Sequence, residues 1–113
     1  MSKVFYDKPI IDQIFEEFCK SKSKQDQDKL IKLVSILPPE DVNKQDVSGF
    51  TVLILASIYC YTEIIKILLG KEGININFKN KFGNTALNFL RVSGHTEIIE
   101  LLENHKSDSF IYQ

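Results

Sequence analysis

The sequence predicts an all-α solenoid of three stacked helix-turn-helix pairs joined by short hairpin loops. Three observations predict it. First, the middle and C-terminal parts align at one offset of 34 residues: Gly49 falls on Gly83, Thr51 on Thr85, Leu53 on Leu87, and Leu68 on Leu102. Thr62-Glu63-Ile64-Ile65 falls on Thr96-Glu97-Ile98-Ile99 at the same offset, and Val42-Asn43 on Ile76-Asn77. Second, each copy carries apolar residues at helical spacing on two short segments divided by turn residues. Third, neither pair has enough apolar area to stand alone, so the units must stack to bury a continuous core.

The elements follow in chain order, within a single domain over residues 1–113. The first unit, about residues 9–43, begins at Pro9, whose fixed φ suits the first helical position. Ile10, Ile11, Ile14, Phe15 and Phe18 then form a wide apolar face. A polar stretch from Lys20 to Asp28 interrupts and reads as a solvated loop. A second helix carries Leu30, Ile31, Leu33, Val34 and Leu37, and Pro38-Pro39 ends it. Asp28-Lys29-Leu30-Ile31-Lys32 stands 34 residues before Thr62-Glu63-Ile64-Ile65-Lys66, so this unit is a degenerate repeat acting partly as a cap.

In the second unit, about residues 44–77, Ser48-Gly49 supplies a turn and Thr51 caps the next helix, with Leu53 and Ala56 on one face. Thr62 is read as the cap of the following helix, whose stripe is Ile64, Ile65 and Leu68; Gly70 and Gly73 release the chain. The third unit, about residues 78–106, repeats the plan with Gly83, Thr85, Leu87, Leu90, Thr96, Ile98, Ile99 and Leu102. The tail, Ser107 to Gln113, has two readings: it folds back over the outer face of the last helix pair, which terminal repeats need covered, or it is a short motif read by a partner.

Composition narrows the function classes. Hydrophobic residues make up 43% and charged residues 26%, enough for both a core and solubility. The net charge is −1, from 14 basic and 15 acidic residues, so the clustered basic surplus that a phosphate backbone requires is missing. Lys20, Lys22 and Lys24 form a local run, but Asp26 and Asp28 follow at once. Cys19 and Cys60, with His95 and His105, show neither a disulfide framework nor metal-ligand spacing, so no metal site is expected. The N-terminus lacks a signal-like apolar stretch, and the longest uncharged apolar run, Phe50 to Tyr61, is too short to span a bilayer; a cytoplasmic, reducing setting is the default expectation. There is no nucleophile elbow, phosphate loop or zinc-binding helix motif, and the adjacent carboxylates Glu16-Glu17 and Glu40-Asp41 are expected to face solvent. Neither catalysis nor a cofactor is expected.

The segment Ser48-Gly49-Phe50-Thr51-Val52-Leu53, through Glu63-Ile64-Ile65 to Leu68-Leu69, resembles the ankyrin repeat. Gly83-Asn84-Thr85-Ala86-Leu87 with Gly94-His95-Thr96-Glu97-Ile98-Ile99 resembles it more closely, and the likeness runs from about Val42 to Glu103. Two departures matter. Thr51-Val52-Leu53-Ile54 and Thr85-Ala86-Leu87-Asn88 stand where the family has Thr-Pro-Leu-His; Asn88 can return a hydrogen bond to the capping threonine, and Ile54 cannot. Cys60-Tyr61 replaces Gly-His, and residues 71 to 74 carry one extra residue, which predicts a looser loop.

The resemblance implies a module without an active site that binds a protein partner along a concave face of hairpin tips and first helices. Carried over residue by residue, the partner-binding positions are Val47, Ser48, Phe50, Ile58, Tyr59, Lys81, Phe82, Asn84, Val92 and Ser93. Phe50, Tyr59 and Phe82 are expected to supply affinity, as large aromatics do in interfaces; the alternative for Phe50 and Phe82 is packing between repeats. Tyr61 is expected to be structural, with a packed ring and a wet hydroxyl, and His95 to bond the backbone of its loop. The implied role is a stand-alone adaptor or inhibitor, monomeric when unbound and not bound to a membrane. Two other accounts stay open: nucleic-acid or nucleotide binding through Lys20, Lys22, Lys24, Lys79 and Lys81, and self-association through an exposed apolar end of the stack.

Overall fold

The computed structural model describes residues 8–20 and 23–111, with side chains for all of these except residue 24 and residues 106–111. Among them are six α-helices and no strand: α1 (Ile10–Phe18), α2 (Lys24–Ser35), α3 (Val52–Ile58), α4 (Thr62–Leu69), α5 (Ala86–Ser93) and α6 (Thr96–Ile111). A single 3-10 turn, Pro39–Asp41, follows α2. Each odd helix packs on the even helix after it; α3 packs on α1 and α5, and α4 on α2 and α6. The result is two helical layers with one core running between them. Ile14, Leu30, Val34, Leu53, Ala56, Ile65, Leu68, Leu90 and Leu102 are all fully buried there.

Helix starts show how the chemistry sets the boundaries. Pro9 lies one residue ahead of its expected place: its ψ of 148° is not helical, so it is the residue before the helix, and its carbonyl accepts from Gln13 N at 3.1 Å. Within the stretch read as a loop, Lys24 to Asp28 belong instead to the first half of α2. Ser23 Oγ accepts from Asp26 N at 3.2 Å and Ser23 N donates to Asp26 Oδ2 at 3.2 Å, a reciprocal cap that starts the helix well before Leu30. Thr51 caps α3 by accepting from Ile54 N at 3.1 Å, and nothing returns the bond. Thr85 does the same for Asn88 N at 3.2 Å, and Asn88 Oδ1 accepts in turn from Thr85 N at 2.9 Å. The difference between Ile54 and Asn88 thus plays out as expected.

Thr62 and Thr96 do not cap. They are the first residues inside α4 and α6, and the preceding carbonyls of Tyr61 and His95 accept from Ile65 N and Ile99 N, both at 3.0 Å. The cause lies one residue earlier. Cys60 has φ +56° and Gly94 φ +75°, left-handed turns that swing the chain so that Tyr61 and His95 take the cap position. Tyr61 N donates to Ala56 O at 2.9 Å and Cys60 N to Ser57 O at 3.2 Å, a complete Schellman closure of α3 around a residue that is not glycine.

Three further expectations need correction. Glu17 does not face solvent: it is 4% exposed, and its Oε2 takes Lys20 Nζ and Lys29 Nζ at 3.0 Å each. Those two ammonium groups hold its carboxyl below the usual range, and burial opposes them more weakly. The loop after Gly70 is not loose either. Lys71 Nζ donates to Ser35 O and Leu37 O at 2.9 and 3.0 Å, satisfying carbonyls at the end of α2, while Asn43 donates to Gly73 O at 2.8 Å and accepts from Asn75 N at 2.9 Å. Finally, the tail does not fold back: α6 continues through it to Ile111, and Tyr112 and Gln113 lie outside the described residues.

Candidate partner-binding surface

Each hairpin is built around one short polar side chain. Asp46 N donates to Phe50 O and Gly49 N to Asp46 O, both at 2.9 Å, while Asp46 Oδ1 accepts from Ser48 N and Phe50 N, also at 2.9 Å. Thirty-four residues on, Asn80 repeats every bond: Asn80 N to Asn84 O and Gly83 N to Asn80 O at 3.0 Å, with Asn80 Oδ1 accepting from Phe82 N at 2.9 Å and Asn84 N at 3.0 Å. These turns fix the backbone at Val47-Ser48 and Lys81-Phe82 with local bonds.

The two hairpins are also joined to each other. Lys81 N donates to Ser48 O at 2.9 Å, and Gln45 Nε2 bridges Gly49 O at 2.8 Å and Lys79 O at 3.0 Å. Gly49, at φ +86°, lies so close to the next hairpin that a Cβ would sit 2.9 Å from Asn80 Cα and Lys81 N. Only glycine satisfies both the turn and that approach. A rigid platform of two tips results.

The structure places the ten candidate positions unevenly. Val47 is 87% exposed, Phe82 76% and Val92 90%, while Ile58 and Tyr59 are 38% and 40% exposed at the end of α3. Lys81 and Ser93 are exposed, and the Ser93 hydroxyl donates back to Phe89 O at 3.1 Å. Ser48 and Asn84 are half-buried, and Ser48 has already given its carbonyl to Lys81. Phe50 fits the second of its two expected roles, packing between repeats. It is half-buried, with its ring 6.5 Å from that of Phe89, so it serves packing between the second and third repeats. Phe82 has no such place, and its ring stands in solvent.

Tyr59 is partly engaged as well. Its ring stacks on Tyr61 at 5.5 Å and on Phe18 at 6.1 Å, and Tyr61 lies 6.1 Å from Phe18. Tyr61 is buried, and that burial pushes its phenol pKa up; the ring is packed as expected of a structural residue.

Sequence reasoning missed two polar sites. One is the Glu17 cluster; the other is Asn80, 5% exposed, whose Nδ2 finds no acceptor where Asp46 in the second hairpin has an oxygen. Of the lysines in the nucleic-acid account, Lys20 is paired with Glu17, the side chains of Lys22 and Lys24 lie outside the description, and Lys79 and Lys81 are exposed on the third hairpin. Cys19 and Cys60 are free thiols. Among the described residues no group of three or more His, Cys, Asp or Glu side chains is placed to hold a metal ion, and no helix is long and apolar enough to cross a membrane.

Comparison with known proteins agrees with this architecture. A stretch of 49 residues, 43% of the chain, is 45% identical to part of a probable serine/threonine-protein kinase of Dictyostelium discoideum. The match spans 6% of that protein, so the likeness reaches one small part of it. The family profile described as ankyrin repeats, in three copies, matches residues 20–111. With the hairpins, the paired helices and the 34-residue repeat, the conclusion is that this chain belongs to the ankyrin repeat family.

Proposed function

We propose that this chain is a non-catalytic protein-binding module, an adaptor or inhibitor working in a reducing compartment such as the cytoplasm. It docks on one protein through the face made by its hairpin tips and the ends of its first helices, the concave face in this family. One observation carries the reading. Six large apolar side chains are exposed among the described residues, and five of them, Val47, Ile58, Tyr59, Phe82 and Val92, occupy tips or first-helix ends; Ile36 is the exception. Apolar surface gathered on rigid positions is what an interface needs, because little ordering entropy remains to be lost on binding. The affinity is assigned to Phe82, Val92 and Val47, with Tyr59 contributing the part of its side chain that is exposed; Lys81 and Asn84 set orientation. The likeness to part of a kinase does not argue for phosphoryl transfer, since the sequence has no Gly-rich phosphate loop.

The test is a capture experiment with wild type and the Phe82→Ala/Val92→Ala variant. Both side chains stand in solvent, so the variant should melt with the wild type, within about 0.5 kcal/mol. A protein retained by wild type and lost by the folded variant supports the face; equal retention by both refutes it.

A further inference from the structure

We propose that the groove between α1 and the second hairpin receives a basic side chain from an extended segment of the protein partner. The inference rests on the reading that the hairpin face binds a protein, and it adds the chemistry of one part of that partner.

Asp12, Phe15 and Glu16 of α1, with Cys19 at its C-terminal cap, fall at helical spacing on a single stripe, while Ile11, Ile14 and Phe18 turn into the core. That stripe faces Gln45, Asp46 and Val47, and between the two runs an open groove of about 460 Å³ with mostly apolar walls. There is room for one long side chain and the backbone that carries it. The groove continues from the Val47 tip, so a segment lying across the hairpins passes its mouth.

The charge is one-sided. Three of the groove's residues are carboxylates, Asp12, Glu16 and Asp46, and none is a cation, in a chain whose net charge is only −1. Asp46 is locked in place because its Oδ1 holds two backbone N–H groups. Glu16 already binds an ammonium group, that of Lys8, in a pair whose side chains are 44% and 57% exposed. An ion pair so open to water exchanges at little cost for a competing cation. Apolar walls beneath an anionic rim match a side chain with an aliphatic stem and a charged head, which describes lysine and arginine. An acidic segment would face three like charges, and an uncharged one would leave the rim unused.

The probe is a capped tripeptide with arginine between two leucines, followed by amide NMR shifts of the whole chain; a control peptide carries norleucine in place of arginine. Saturable shifts confined to Asp12–Cys19 and Gln45–Val47 are expected. Affinity should fall at least tenfold for the norleucine peptide and for the Asp12→Asn/Glu16→Gln variant, whose changed side chains lie on an exposed helix surface and leave the rest of the spectrum in place. Binding that ignores either change, shifts gathered elsewhere, or no shift at millimolar peptide would each overturn the proposal. Phe82 and Val92 are not in the groove, so the capture experiment fails or succeeds independently. Loss of capture in that variant with an unresponsive groove removes only this inference; equal capture with a responsive groove removes only the wider face.

Discussion

Replacing Cys60 by glycine should stabilise the protein, although it removes a half-buried side chain. Cys60 sits at φ +56°, where its repeat-related partner is Gly94 at φ +75°. A non-glycine residue in this region costs about 1–2 kcal/mol, because its Cβ crowds the following carbonyl. Glycine would release that strain but return about 0.4–1 kcal/mol through the greater freedom of the unfolded chain. The lost thiol burial subtracts a few tenths more, roughly 25 cal/mol for each Å² of apolar surface given up. The balance favours Cys60→Gly by about 0.5 kcal/mol, a rise of roughly 2–4 °C in Tm for a domain of this size. Urea denaturation of wild type, Cys60→Gly and Cys60→Ala measures it, with alanine keeping the strain and losing only the sulfur. The reciprocal change, Gly94→Ala, meets no heavy atom within 4 Å and should cost about 0.5–1 kcal/mol from backbone alone. A destabilised Cys60→Gly beside a neutral Gly94→Ala would refute the argument, because no left-handed strain would then be present to relieve.

Gly49→Ala should cost about 2–4 kcal/mol, well above the roughly 1 kcal/mol for Gly83→Ala, since a Cβ at residue 49 strikes the backbone of the next hairpin and one at residue 83 strikes nothing; denaturant midpoints of the two variants decide it. Glu17 makes the first repeat sensitive to acid. Its folded pKa lies below 4.5, so its contribution is fully present above 4.5 and is lost as pH falls through the lower folded value; melts from pH 3 to 7 should show a shallower acid limb for Glu17→Gln than for wild type. Asn88→Ala removes the returned half of the α5 cap and should lower stability by about 0.5–1 kcal/mol, measurable by the same denaturation.

What the sequence made legible was whatever repeats locally. Gly49 and Gly83 mark the turns because the hairpin bonds close within five residues, and Thr51 and Thr85 mark caps for the same reason. The start of α2 is equally local, set by Ser23 with Asp26, but it lies inside a run of charged residues that has the composition of a solvated loop. Glu17 was beyond reach of that kind of reasoning: its burial depends on Lys29, twelve residues away on a second helix. Phe50 was hidden for a similar cause. Its place in the repeat allows both recognition and packing between repeats, and its neighbour Phe89, across the repeat boundary, lies 39 residues away in sequence. Exposure at the ten surface positions follows the same divide: Val47, Phe82 and Val92 stand in solvent at tips and a helix end, while Phe50, Ser48 and Asn84 are half-buried.

The outer side of the third repeat bears on how the stack meets other molecules. Ile54 and Ser57 are buried in the second repeat, which has α5 and α6 packed on it; their counterparts 34 residues on, Asn88 and Arg91, are exposed and polar. Half-buried Leu69 is matched by Glu103, and Glu103 Oε2 accepts from an Arg91 side-chain nitrogen at 2.9 Å, tying α5 to α6 with an ion pair. Leu87 and Ile99 remain only partly covered beside these groups. Stacking another copy on this side would strip water from an arginine and a carboxylate for the sake of two half-buried aliphatic side chains, and desolvating such a pair offsets much of what the apolar contact contributes. The hairpin tips make no such demand, because Val47, Phe82 and Val92 already stand in solvent on a backbone fixed by its own bonds. Among the residues whose side chains are described, the third repeat thus carries charge or polarity at positions where the second repeat buries apolar groups, and its exposed large apolar side chains, Phe82 and Val92, stand at the tip and the first-helix end.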